Sequence, residues 1–155
     1  MRRYLLVLFA LFSTFCYGSN LVIELPNGER NELSFEYISS LPSKSVKTHL
    51  PWFTGEETFT GVSLESLILS YHNQGMPKTV NVRALNDYAI DIKGEDITVY
   101  QPILAYLKDG KRMKIRDKGP YWLIYSLKDH PSIDNSNYHS QMVWQIETIK
   151  IVDND

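Results

Sequence analysis

The single cysteine of this 155-residue chain, Cys16, falls inside a stretch that reads as an export signal. Everything after that stretch must therefore fold without a disulfide. Arg2 and Arg3 precede an apolar run from Leu5 to Phe12, and Cys16-Tyr17-Gly18 places small residues at −3 and −1. That order describes a secretory signal peptide over residues 1–18, cut after about Gly18 so that Ser19 comes first. The apolar run is shorter than the roughly 20 residues of a membrane span. Phe15 stands where lipoprotein cleavage needs a small residue. The two arginines lack the polar lead-in of a twin-arginine signal, so export of an unfolded chain to the periplasm is expected. Such a chain carries no cofactor loaded in the cytoplasm. The expected mature domain, 19–155, also has no thiolate to serve as nucleophile or metal ligand.

A length of 155 residues suits one domain with a core of its own. The hydrophobic fraction of 43% is too high for a disordered chain. A formal charge of −2 gives no broad cationic footprint, so nucleic acid is not an expected partner.

Strand signals dominate the rest. Leu21–Leu25 is β-rich, and Asn27-Gly28 is a hairpin turn signal. Ser34 can cap a short helix through about Ser40, stopped by Pro42. Val46 to Leu50 reads as a strand broken by Pro51-Trp52. Ser63 caps the clearest helix, with Leu64, Leu67, Ile68 and Tyr71 at helical spacing and Asn73-Gln74-Gly75 at its end. Thr79–Leu85 alternates, and Tyr88–Ile92 follows as a strand. Ile103–Leu107 and Lys111–Ile115 flank Asp109-Gly110, a second hairpin signal. Tyr121–Tyr125 reads as a strand buried on both faces, and Met142–Val152 as a long closing strand. Many strands, few short helices and no βαβ rhythm predict an α+β, mainly β domain.

No nucleotide-binding glycine motif is present, and no G-x-S-x-G elbow supports hydrolase chemistry. His49, His72, His130 and His139 lack ligand spacing and read as surface or loop histidines. Glu56-Glu57 reads as a solvated turn. Three loops stand out, because binding residues concentrate on loops. Pro51-Trp52-Phe53-Thr54-Gly55 offers Trp52 either as core filler or as a stacking platform for a flat ligand. In Ala84-Leu85-Asn86-Asp87-Tyr88 the polar Asn86 and Asp87 separate two strands, as an ordinary turn or as a binding loop. Arg116-Asp117-Lys118-Gly119-Pro120 joins two cations to a glycine that permits close backbone approach, or is merely a hydrated connection.

The series Phe59-Thr60-Gly61-Val62-Ser63-Leu64, Ala84-Leu85-Asn86-Asp87-Tyr88, Ile103-Leu104-Ala105-Tyr106 and Arg116-Asp117-Lys118-Gly119-Pro120 resembles the molybdopterin-binding domain of the sulfite oxidase superfamily. The resemblance runs from about Leu21 to the C-terminus and implies that family's mixed, mainly β fold. Catalytic members hold molybdenum with a cysteine thiolate ahead of the G-V-x-L helix. This chain has Thr48-His49-Leu50-Pro51-Trp52 there, and neither threonine nor histidine replaces a soft thiolate. A small, cysteine-free, exported form looks like the periplasmic pterin-binding proteins that regulate membrane cyclic-di-GMP enzymes. The resemblance implies a reduced pterin as ligand, no metal and no catalytic residue. A periplasmic domain of a membrane signalling protein is the implied partner. In that setting Trp52 or Tyr88 would stack on the pterin, and Asp87, beside Asn86, would accept two hydrogen bonds from its pyrimidine edge. Arg116 or Lys118, next to Gly119, would donate to its carbonyl or side chain. A molybdopterin-dependent oxidoreductase and an empty fold serving as an interaction module are the alternatives.

Overall fold

The computed structural model describes residues 20–152. The expected signal peptide and its cut before Ser19 lie outside them. In chain order the elements are β1 (Leu21–Glu24), β2 (Arg30–Leu33), α1 (Phe35–Ser40), β3 (Ser43–His49), β4 (Glu56–Ser63) and α2 (Leu64–Tyr71). Then follow β5 (Thr79–Ala84), β6 (Ala89–Lys93), α3 (Gly94–Tyr100), β7 (Ile103–Lys108) and β8 (Lys111–Arg112). β9 (Trp122–Ile124), α4 (Ser136–Gln141) and β10 (Ile146–Val152) complete the described chain.

Local chemistry explains most of these boundaries. The Ser34 hydroxyl accepts the Tyr37 N–H at 3.1 Å and starts α1. Ser63 does the same for Ser66 at 3.3 Å and starts α2, which buries Leu64, Leu67 and Ile68. Along β5 burial alternates, with Val80, Val82 and Ala84 inward. Gly28 takes φ +85°, the left-handed conformation that the β1–β2 turn requires.

One sheet runs β2-β1-β10-β5-β6, parallel only between β1 and β10. The other runs β3-β4-β7-β8, with β9 also pairing β7. A single apolar cluster joins the two: Leu21, Val82 and Ile149 meet Phe59, Leu104 and Trp122 in it. The result is mixed α+β and mainly β, as the strand signals predict.

Several elements differ from expectation. β4 occupies a stretch without a strand signal, and Glu56-Glu57 is its first pair rather than a turn. Its acids are paired, Glu56 with Lys128 of the turn after β9 at 2.8 Å and Glu57 with Lys108 of β7 at 3.3 Å. α3 was not signalled. The strand expected at Lys111–Ile115 ends at Arg112, because residues 115–117 coil into a 3-10 turn. The closing strand begins at Ile146 rather than Met142, and α4 precedes it. His72 stands in the loop after α2, as one of the two expected settings, but is buried there: it is 8% exposed, with Nδ1 2.6 Å from the Gly75 carbonyl.

Candidate functional site: an aromatic cavity between three loops

The loop after β3 opens with buried Leu50, whose carbonyl accepts the Phe53 N–H at 3.2 Å. That turn raises Trp52 to the surface, where it is 36% exposed. Behind it lies Trp122 of β9, fully buried, at a centroid distance of 5.7 Å. Trp144 packs edge-on to Trp52 at 5.4 Å and is bridged by backbone to Trp122. The chain has three tryptophans, and all of them meet here.

The β5–β6 turn supplies the facing wall. Asp87 adopts φ +65°, its N–H bonded to the Ala84 carbonyl at 3.1 Å. The Asn86 side-chain carbonyl accepts the Tyr88 N–H at 3.2 Å. The Tyr88 hydroxyl then donates to the Ser140 carbonyl at 3.0 Å, tying this turn to the end of α4. Between these walls is a cavity of about 290 Å³, lined by Trp52, Asn86, Tyr88, His139, Met142 and Trp144 among others.

The third loop lays its lysine on the tryptophans that wall the cavity, although Lys118 itself borders the neighbouring one. Lys118 takes φ +69°, and its ammonium lies 3.4 Å from the Trp144 ring centroid and 5.5 Å from that of Trp52. A cation over aromatic faces is attracted by their quadrupoles. Burial against these rings lowers the Lys118 pKa. The Lys118 carbonyl accepts the Gln145 N–H at 3.1 Å, so this loop is anchored beside Trp144.

Of the residues singled out in the sequence, Trp52, Asn86 and Tyr88 line the cavity, while Lys118 lies over the Trp144 ring and, like Arg116, borders the neighbouring cavity. Asp87 is exposed and not among the lining residues. Arg116 is exposed, 3.6 Å from the neighbouring Asp117 carboxylate, and borders a different cavity. Gly119 is buried, and the close approach it permits is to its own chain: a Cβ there would run into the Met113 carbonyl. Gly119→Ala is therefore expected to cost about 1–3 kcal/mol or more by overpacking, read as a lower urea midpoint at unchanged slope.

His139, Met142 and Trp144 were not anticipated as site residues. His139 borders Trp52 at 6.2 Å, and its Nε2–H donates to Asp134 at 2.8 Å. His49, at the end of β3, donates to the other oxygen of the same carboxylate at 3.0 Å. One acid thus clasps the root of the Trp52 loop to α4. The hydrogen bonds from His49 and then His139 hold the Asp134 pKa below its ordinary value. A depressed carboxylate pKa stabilises the fold above the ordinary aspartate range, and this is lost as pH falls through the depressed value. Asp134→Asn should therefore melt below the wild type at about pH 5, the gap closing toward about pH 2 in thermal scans.

The donor set does not fit a thiolate-held molybdenum. Thr48 stands in the segment where the resemblance places the metal-ligating cysteine. It is fully buried, its hydroxyl accepting the Lys128 N–H at 3.1 Å and donating to the His49 carbonyl at 3.1 Å. That oxygen is committed to holding the chain, and a hard hydroxyl is a poor substitute for sulfur. Cys16 lies outside the described residues.

No family model and no curated protein matches the chain. Among solved structures, it superposes on the sulfane dehydrogenase SoxCD from Paracoccus pantotrophus with a TM-score of 0.61 and 14% identity. The likeness is one of fold. It covers 87% of this chain but 38% of the SoxCD chain, so this chain spans well under half the length of that one. Shared architecture at this identity leaves chemistry to be argued from the site.

Proposed function

We propose that this chain is a periplasmic, non-catalytic accessory or sensory protein that takes a reduced pterin, a flat heteroaromatic ring system, in the cavity beside Trp52. The observation that carries this is the cavity itself: about 290 Å³, walled by Trp52, Trp144 and Tyr88, with Asn86, His139 and Ser140 as its polar lining. Small-ligand sites run from about 300 to 1,000 Å³, so the volume suits a bicyclic ring rather than a dinucleotide. Lys118, partly buried over the Trp144 ring, is the nearest cation of the three loops to the tryptophan wall, and a ring carbonyl at the rim would accept from it. The resemblance of the sequence to pterin-binding proteins supports the ligand class, and the fold likeness to SoxCD is compatible with it. An exported signalling role, with a membrane cyclic-di-GMP enzyme as partner, rests on that resemblance. The oxidoreductase alternative rests on the superfamily resemblance and on fold likeness, and is opposed by the committed Thr48 hydroxyl.

Because Trp52 and Trp144 line this site and Trp122 packs against both, intrinsic fluorescence reports on it. Titrating 6-methyltetrahydropterin is expected to quench the signal saturably at one ligand per chain. A folded protein that shows no saturable quenching would overturn the reading. Asp87→Asn separates the sequence expectation from the geometry. Since Asp87 is exposed and outside the lining, affinity should stay within about twofold. A tenfold loss would put its carboxylate on the ligand.

A further inference from the structure

A second and larger cavity, about 650 Å³, borders Phe53, the residue after Trp52. Its lining is cationic: Lys108, Lys111, Arg112, Lys114, Arg116 and Lys118 come from the single stretch 108–118. The chain as a whole carries −2, so positive charge is concentrated here against the general balance. The two acids of the stretch, Asp109 near Lys108 and Lys111 and Asp117 beside Arg116, offset only part of the six cations. One Asp109 oxygen accepts the Thr58 N–H at 3.0 Å, and Asp117 lies beside Arg116. Lys108 is matched by Glu57. Among the described residues, Lys111, Arg112 and Lys114 have no carboxylate within 4 Å. Arg112 instead stacks on Phe35 at 3.7 Å.

Two further features sit in the same place. β8, which carries Lys111 and Arg112, is the last strand of its sheet, and an edge strand presents backbone groups to which an extended chain can add. Beside it, Ile115 is 54% exposed and lines a small hollow with Met113 and Pro120. An isolated phosphate would engage two or three of the cations and leave the others repelling. A chain with several carboxylates along its length neutralises them together. A concave cleft also suits a segment better than a bilayer surface.

We propose that this face docks an extended acidic segment of a protein partner, laid along the edge of β8 with an apolar side chain against Ile115. The proposal is independent of the pterin reading, since its key residues, Lys111 and Lys114, lie outside the aromatic cavity.

The test uses the full chain and a fluorescein-labelled decapeptide of alternating glutamate and valine, followed by anisotropy. Saturable binding is expected, weakening as salt is added. Lys111→Glu/Lys114→Glu should lower affinity by at least about tenfold with an unchanged melting midpoint. Lys78→Glu/Lys93→Glu, near a different hollow, should match the wild type. If charge reversal disturbs the fold, Lys111→Ala/Lys114→Ala keeps the comparison. Absent peptide binding, or binding equal in the lysine variants and the wild type, would overturn the proposal. So would displacement of the peptide by equimolar inorganic pyrophosphate, which would mark a small-anion site. Binding only to phosphatidylglycerol vesicles would mark a lipid surface instead.

Discussion

Trp122→Ala should lower stability by about 3–5 kcal/mol, most of the margin in a domain whose total is about 5–15 kcal/mol. Trp122 is fully buried, and Phe59 packs edge-on to it at 5.4 Å, with Phe53 at 5.9 Å. Removing it leaves a large cavity between β9 and the Trp52 loop. Its indole N–H also donates to the Met142 carbonyl at 3.0 Å, and that buried acceptor would lose its partner. Trp122→Phe separates these two costs. It keeps an aromatic body against Phe59 but strands the carbonyl, so about 1–3 kcal/mol should remain lost. Urea unfolding with far-ultraviolet circular dichroism measures both. If the alanine variant fails to fold, the phenylalanine variant still reports. A loss under about 1 kcal/mol for Trp122→Ala would contradict the packing account.

The same residue links stability to the site. Trp122 backs Trp52, and the carbonyl it bonds belongs to Met142, a lining residue of the aromatic cavity. The segment 142–146 is further fixed by Leu123, whose N–H donates to Val143 at 2.9 Å, and by Ile146, whose N–H donates to Tyr121 at 3.1 Å. One wall of the cavity is thus held by the edge of β9, and the other by the β5–β6 turn. Rigid elements of this kind keep a pocket preformed and reduce the entropy lost on binding.

Where periodicity and capping agreed, the fold was legible in the sequence. Val80, Val82 and Ala84 alternate as a strand should, and Ser63 with Leu64, Leu67 and Ile68 marks a helix by both its start and its spacing. β4 was hidden because it opens on two glutamates and carries Gly61 in its interior. The glycine is there for a tertiary reason: a Cβ would run into the Leu104 carbonyl of β7, where the ladder also shifts register. α3 was hidden because Lys93 gives it no side-chain cap and Ile97, Thr98 and Val99 are β-branched. α4 has no buried residue, so no apolar face announces it.

The site was legible only where its residues stand on loops between recognisable elements. Trp52, Asn86, Tyr88 and Lys118 met that condition. His139 and Trp144 did not, because no element was signalled around His139 and Trp144 falls in the stretch that reads as the closing strand. Trp144 is brought to the site by its long-range bridge to Trp122 and His139 by the Asp134 clasp, neither of which a local pattern encodes.

The most direct test of the aromatic cavity as a pterin site is calorimetric titration of Trp52 variants with 6-methyltetrahydropterin. Stacking of a flat heterocycle on an aromatic side chain is worth about 1–3 kcal/mol by alanine substitution, so Trp52→Ala should weaken binding from roughly fivefold to more than a hundredfold. Trp52→Phe, which retains a smaller ring, should fall between that variant and the wild type. Trp52 is partly exposed, so both variants should stay folded and the comparison should report on the ligand alone. Wild-type binding with a graded loss through Trp52→Phe to Trp52→Ala is the expected result. Equal affinity in all three proteins would contradict it.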